Sequence, residues 1–405
     1  MINKLTKQLP APEREELDIG YMRLSDSAPI ILAQALGLYE EFGLKVNLQR
    51  EVSWANIRDK TIAGVLDASQ MLAPMPLMTT LGAAGIRAPI ITGLVLSLNG
   101  NAITVSSALW TKMTAVTDVC KPLHDGQATA TALKTAMDLN PDDPLTFATV
   151  HSFSSHTLLL RKWLLAGGVN PDTDVRIIVL PPEQMVDSLA QGLIDGFCVG
   201  APWNSIAVEY GAGIMATTGF EIWNNAPEKV LGVLESWHSR NRSTHLRLRL
   251  ALMAACEWLG HMDNRGAAAA ILSRPEYLDL PVDYLRPSLT EQIVQKREGN
   301  PLSQSNFHVF SSYSAGFPWR SQAESMLEQF APLLSKPLHR DQLAALAQQC
   351  FRTDLYREAA SRAQIDYPDR DYKTEGVHRK PWMLNERIEL GSDLMLGDSA
   401  PSQTS

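Results

Sequence analysis

Residues 17–22, LDIGYM, alternate apolar and polar positions and read as a strand. The period then changes. In SDSAPIILAQALGLYEEFG, Ser25 to Ser27 offer caps and Pro29 suits a first turn. Ile31, Ala35 and Leu38 form an apolar stripe, and Gly43 stops the helix. Residues 44–50, LKVNLQR, return to a strand pattern. A β-α-β opening of this kind predicts a parallel sheet. The alternation continues with WANIRDKTIAGVL as helix, ASQMLA as strand, PMPLMTTLGAAG as helix and APIITGLVLSL as strand. After Asn101 a second set begins, with strands AITVS and LTFATV, helix SHTLLLRKWLLAGG, strand VRIIVL, helix PPEQMVDSLAQG, and strands DGFCVG and GIMATT. The two sets join around residues 97–103, SLNGNAI. From about residue 244 the pattern is helical with interruptions, and residues 391–405 are polar and expected to be disordered.

Composition narrows the function more than the fold. The 405 residues are 45% hydrophobic and 20% charged, enough for two domains or one large α/β domain. A net charge of −8 and no Lys/Arg cluster argue against direct nucleic-acid binding, which needs basic groups against phosphate. Cys120, Cys198, Cys256 and Cys350 are widely spaced in apolar contexts, the pattern of reduced buried thiols rather than of disulfides or metal ligands. The first twenty residues hold no apolar signal region, and no run reaches the roughly 18 apolar residues of a membrane span. The expectation is a cytoplasmic chain.

No GxGxxG, P-loop, GxSxG or HExxH occurs, and GAAG at 82–85 reads as a helix end. His151 and His156 lack Cys or carboxylate partners at ligand spacing, so no metal is expected. His156 precedes an apolar helix, where a histidine beside free N–H groups forms an anion site or simply a cap. Trp54 starts another helix; its indole is donor-only, although a lone tryptophan more often belongs to a core. Asn99 and Asn101 flank a glycine at a strand end, and Gly200 ends a strand where backbone can approach a ligand. Lys229 is singular: between Ile177 and Glu228 there is no Lys, Arg or His, while Glu183, Asp187, Asp195, Glu209, Glu221 and Glu228 are acidic and read as solvated faces. Crevices between α/β units at strand ends bind ligands. Trp54, Asn99, His156, Gly200 and Lys229 all fall at such places and all donate hydrogen bonds, which points to a small acceptor-only anion.

SWANIRDK, MLAPMPLMTTLG, LNGNAITVS, WLLAGGVNPDTDVRIIVLPPEQMVDSLAQGLIDGFCVGAPWN and PEKVLGV resemble, in the same order, the nitrate- and bicarbonate-binding solute-binding proteins of periplasmic type. The resemblance covers roughly residues 17–380. It implies an α/β, type II periplasmic-binding-protein-like fold, with a ligand cleft between two α/β lobes and a helical C-terminal part. Lobe 1 would comprise 15–100 and 230–390, and lobe 2 would comprise 101–229. The nitrate site it implies falls on Trp54, His156, Pro182, Val199, Gly200 and Lys229. The amide ligand falls on Asn99, with Asn101 the alternative left open, where the family carries glutamine. Bicarbonate binders of the family carry an acid in place of Lys229 and recruit calcium, so the resemblance implies nitrate or nitrite, without metal or cofactor. Transport members carry a signal peptide and a lipid-attachment cysteine. Without these, the chain resembles the cytoplasmic branch that senses nitrate or nitrite, sequesters an ANTAR-type RNA-binding antiterminator and releases it on anion binding. The alternative is the substrate-binding component or regulatory domain of a nitrate ABC transporter. An enzyme like the pyrimidine synthases of thiamine biosynthesis would need a cysteine-rich segment that is not found.

Overall fold

In the computed structural model, which describes residues 6–83, 85–116, 122–141 and 143–397, the strand patterns sort into two sheets. The first four strands are β1 (Glu16–Met22), β2 (Lys45–Glu51), β3 (Ala68–Leu72) and β4 (Ile90–Asn99). A second sheet takes β5 (Asn101–Ser106), β6 (Thr146–Thr149), β7 (Arg176–Val179), β8 (Gly196–Gly200) and β9 (Gly213–Thr218), in the order β7-β6-β8-β5-β9. The chain then returns: β10 (Pro227–Leu234) inserts between β3 and β4, and the pair His308–Val309 adds to the free edge of β4.

The expected parallel arrangement holds for β1 with β2 and β3, and for β6 with β7 and β8. β10 and β5 run antiparallel to their neighbours, so both sheets are mixed. Every residue of β3 and β4 is buried, because helices cover both faces of the first sheet there. The placement of β10 also moves Lys229. Expected at the edge of the second set, it stands inside the first sheet, opposite Leu72 on one side and Ser97 on the other.

Two crossovers join the sheets, one at Gly100 and one through residues 219–226. Gly100 has φ +93, and a Cβ there would fall 2.3 Å from the His308 ring, so glycine is required on both counts. Away from the crossovers the two lobes also touch directly. Ser25 N donates to Ala201 O (2.8 Å), Trp203 Nε1 donates to Arg23 O (3.1 Å), and Arg23 Nη1 pairs with Glu183 Oε2 (3.1 Å).

The helical C-terminal part builds onto the first sheet. Its longest member, Arg242–Gly260, packs against the helices Ala28–Ala35 and Thr353–Ala363. In the second lobe the helices Ser107–Val116 and Gly126–Asp138 were not anticipated by the pattern; the second is capped by Asp125, whose side chain accepts from Ala128 N. Of the tail expected to be disordered, residues 391–397 are instead packed. Asp393 is buried and accepts from the backbones of Val377 and His378. Asn224 N donates to Leu394 O (2.9 Å), Leu396 N donates to Ile222 O (2.7 Å), and Met395 bridges to Trp223. Residues 398–405 lie outside the described residues, as does Cys120. Cys198, Cys256 and Cys350 are buried free thiols. No described helix is long and apolar enough to cross a membrane.

Candidate functional site

Glu228 and Lys229 are neighbours on β10, and in a regular strand their side chains would leave opposite faces of the sheet. The β10–β4 pairing shifts register between Pro227 and Lys229 and again between Lys229 and Val230. Such irregularities re-aim side chains. Here both reach one fully buried cluster, with Lys229 Nζ 2.5 Å from Glu228 Oε1. Lys229 Nζ also lies 2.9 Å from Asp26 Oδ2 and sits over the Trp54 ring, 5.3 Å from its centroid. The cation that looked misplaced in sequence is held by two carboxylates and an indole face.

The second lobe completes the cluster. Ser154 caps the helix Ser155–Ala166 by accepting from Thr157 N (3.0 Å), and this sets His156 in its first turn. His156 Nε2 lies 2.7 Å from Glu228 Oε1, within ion-pair distance though not aligned for a hydrogen bond. Asn101, the first residue of β5, donates from Nδ2 to Glu228 Oε2 at 2.7 Å. On the first-lobe side, Ser53 caps the helix Trp54–Ile62 by accepting from Asn56 N, and the Trp54 indole N–H is buried without a partner. Gln70 Nε2 donates to Asp26 Oδ1 (2.8 Å), while its Oε1 accepts from Met22 N and Ser27 Oγ. That network fixes Asp26 at the end of β1.

The remaining expected residues are placed as follows. Gly200 pairs with Asn101 across β8 and β5, and a Cβ on it would come 3.4 Å from Asp26 Oδ2, so it lines the same junction; Val199 precedes it, opposite Ala102. Pro182 is buried at the start of a short 3₁₀ turn, next to Glu183, which meets Arg23 from the other lobe. Asn99 is engaged elsewhere. Its Nδ2 donates to Asn306 O (2.8 Å) and its Oδ1 accepts from Ala226 N (3.1 Å), so its amide serves the crossovers, and Asn101 is the amide joined to the cluster.

Two readings from sequence need correction. The cluster is not composed of donors alone, since Asp26 and Glu228 are both fully buried within it. Nor is Glu228 a solvated face like the exposed Asp187 and Glu209; its position beside Lys229 in PEKVLGV was the available signal. Asp26 was hidden among Ser25 to Ser27, expected as caps; instead they form a short 3₁₀ turn, and Ser27 makes no side-chain cap. His151, the other histidine of HSFSSH, accepts from Phe153 N, and burial pushes its pKa down to about 4. Among the described residues no group of three or more His, Cys, Asp or Glu is arranged to hold a metal ion.

Charge is shared unevenly in the cluster. Burial alone would raise Glu228, but Lys229 and His156 outweigh it and hold the carboxyl below the usual range. Burial likewise opposes the Lys229 ammonium, yet Asp26 and Glu228 together push its pKa above the ordinary value. Asp26 goes the other way: burial raises it, Lys229 offsets only part of that, and Glu228 repels a second negative charge. The arrangement is an ionised Glu228, a protonated Lys229 and an Asp26 inclined to keep its proton. Chemically it is a buried cradle of ammonium, imidazole and amide around a planar oxyanion, with no nucleophile poised beside a base.

A profile of the NMT1-like family matches residues 10–273. The nitrate import ATP-binding protein NrtC of Synechocystis sp. is 38% identical over 383 residues, 94% of this chain and 54% of that protein. The bicarbonate transport ATP-binding protein CmpC of the same organism is 36% identical over 87% of this chain and 51% of its own. The chain thus spans about half the length of these relatives. The crystal structure of the periplasmic nitrate-binding protein NrtA from Synechocystis PCC 6803 superposes with a TM-score of 0.80 at 26% identity, covering 92% of this chain and 94% of that one. The fold is therefore that of the periplasmic binding proteins, two α/β lobes about a cleft.

Proposed function

Because the chain belongs to the NMT1-like family, with nitrate-import, bicarbonate-transport and nitrate-binding proteins as relatives, we propose that it is a nitrate- or nitrite-binding module of a nitrate import system. The observation that carries this is the similarity to NrtC along 94% of the chain, in a protein named for nitrate import and about twice the matched length. A binding fold similar to part of an import ATP-binding protein is suited to report anion occupancy to the ATPase, or to present the anion to the transporter. In either role it binds and does not catalyse.

The cleft chemistry supports an oxyanion. Lys229, His156 and Asn101 converge on one carboxylate, and the unpartnered Trp54 indole adds a further donor. Bicarbonate also donates a hydrogen bond, and Asp26 and Glu228 are acceptors in the same cluster, so donor chemistry alone does not select nitrate. The preference rests on the relatives.

Calorimetry with nitrate, nitrite and bicarbonate tests the reading. Micromolar nitrate binding, about −8 kcal/mol, without added metal is the expected result; bicarbonate as the only anion bound sinks it. The finer role is read from partner capture across a nitrate titration. Retention of an import ATPase supports the transport module. Capture of an ANTAR-type antiterminator that nitrate releases would instead make the chain a sensor. A cytoplasmic location belongs to this proposal and is checked by fractionation.

A further inference from the structure

The donors suited to an inorganic anion converge on one that the chain itself supplies. Glu228 Oε1 has Lys229 Nζ at 2.5 Å and His156 Nε2 at 2.7 Å, and Glu228 Oε2 receives Asn101 Nδ2 at 2.7 Å. All four side chains are buried. A carboxylate and a nitrate are both planar, trigonal and singly negative, so a donor set shaped for one suits the other, and both cannot occupy it together.

The donors also come from opposite sides of the cleft. Glu228 and Lys229 ride on β10 in the first sheet. Asn101 opens β5 of the second sheet, and His156 starts a helix that packs on β8. Glu228 therefore makes, from within the chain, the bridge between lobes that a bound ligand makes in closing a bilobal protein. The contacts of Arg23 with Glu183 and of Ser25 with Ala201 lie at the same interface and accompany it.

We propose that Glu228 is a tethered anion that competes with the dissolved ligand for Lys229, His156 and Asn101, and that by occupying them it latches the two lobes together. This deepens the anion-binding reading and rests on it. A tethered group acts at an effective concentration of millimolar or more, so the affinity of the full chain is what remains after that competition. Binding of the dissolved anion then exchanges one bridge for another. The alternative role, a carboxylate that merely positions Lys229, predicts the opposite sign for its removal.

The test compares the full chain with E228A and E228Q by nitrate calorimetry and small-angle X-ray scattering. Both variants are expected to bind nitrate with a Kd at least about tenfold lower than wild type, given that effective concentration. Before nitrate is added they should have a larger radius of gyration, which contracts on addition; wild type should be compact throughout. If E228A does not fold, E228Q keeps the side-chain shape without the charge and carries the test. A Kd unchanged or raised, in a protein that binds nitrate, overturns the proposal, as does failure of the folded variants to expand. If no form binds nitrate, nitrite or bicarbonate while the variants still expand, the nitrate reading falls and the latch stands.

Discussion

Two of the clusters in which this protein buries titratable groups are neutralised by opposite means. In the cleft, Glu228 and Lys229 keep charge and cancel it across 2.5 Å, with Asp26 2.9 Å from the same ammonium. On the helix Arg242–Gly260, His245 meets His238 through their Nδ1 atoms at 2.9 Å, and among the described residues no carboxylate is paired to either ring. Burial, aided by Arg249, pushes both pKa values down, that of His238 to about 4, so this pair is neutral because its protons have left. The first arrangement tolerates an exchange of one anion for another; the second has nothing to exchange. A buried charge kept at full value, and spread over two lobes, marks the functional place.

The sharpest way to break this contrast is K229A. It leaves the ionised Glu228 and the neighbouring Asp26 carboxyl without their ammonium, a loss of about 3–5 kcal/mol, and should abolish anion binding. The carboxylates would then neutralise by taking up protons, as the histidines do by losing them. Their folded pKa values would lie above the unfolded ones, so stability should recover as pH falls and be lost as pH rises through the raised values. Denaturant unfolding of K229A between pH 4 and pH 7 reads this directly. Equal losses at both ends would refute it.

Next in size is the histidine pair itself. A folded pKa below the ordinary 6.5 means that stability is present above pH 6.5 and drains away as pH falls toward 4. His238 alone should account for about 2–3 kcal/mol of that slope, and H238Q should flatten it. A slope unchanged in H238Q would place the acid sensitivity elsewhere. H156A comes third, because it removes one donor to a charged ligand, worth about 1.5–3 kcal/mol. It should weaken nitrate binding by tenfold or more with little change at the histidine pair, as calorimetry and unfolding together would show. The smallest effect is S53A, which removes the cap of the Trp54 helix at a cost of about 1 kcal/mol. The fold should survive, with a modest drop in melting temperature as the readout.

What the sequence revealed follows from how local each signal is. The strands β1 to β9 were visible because alternation and glycine stops are written within a few residues. The helix starts that place Trp54 and His156 were equally local. The insertion of β10 between β3 and β4 was not, because it pairs residues more than a hundred positions apart. Two second-lobe helices escaped because SALWTKMTAV and GQATATALKTAMD carry threonines along a weak apolar stripe. The acidic half of the cleft was missed for one reason twice over. Asp26 looked like a cap and Glu228 like one more surface acid, and only a partner brought in from another strand or lobe makes either worth burying. Asn99 and Asn101 differ by two positions and share a context, so the choice between them required the fold.

Residues 391–397 change the mechanics of the molecule. Two lobes joined only at Gly100 and at residues 219–226 form a door on two pins, free to turn about the line through them. The terminal segment adds a strap. It is anchored by Asp393 beside His378 on the first-lobe side, runs along Ile222–Asn224, and brings Leu396 and Gly397 against Gly126 and Ala166 of the second lobe. The strap lies along the second pin and ties it to both lobes. Opening the door wide therefore strains the contacts of Leu396 and Gly397 with Gly126 and Ala166, so residues 391–397 belong to the hinge rather than to a loose tail.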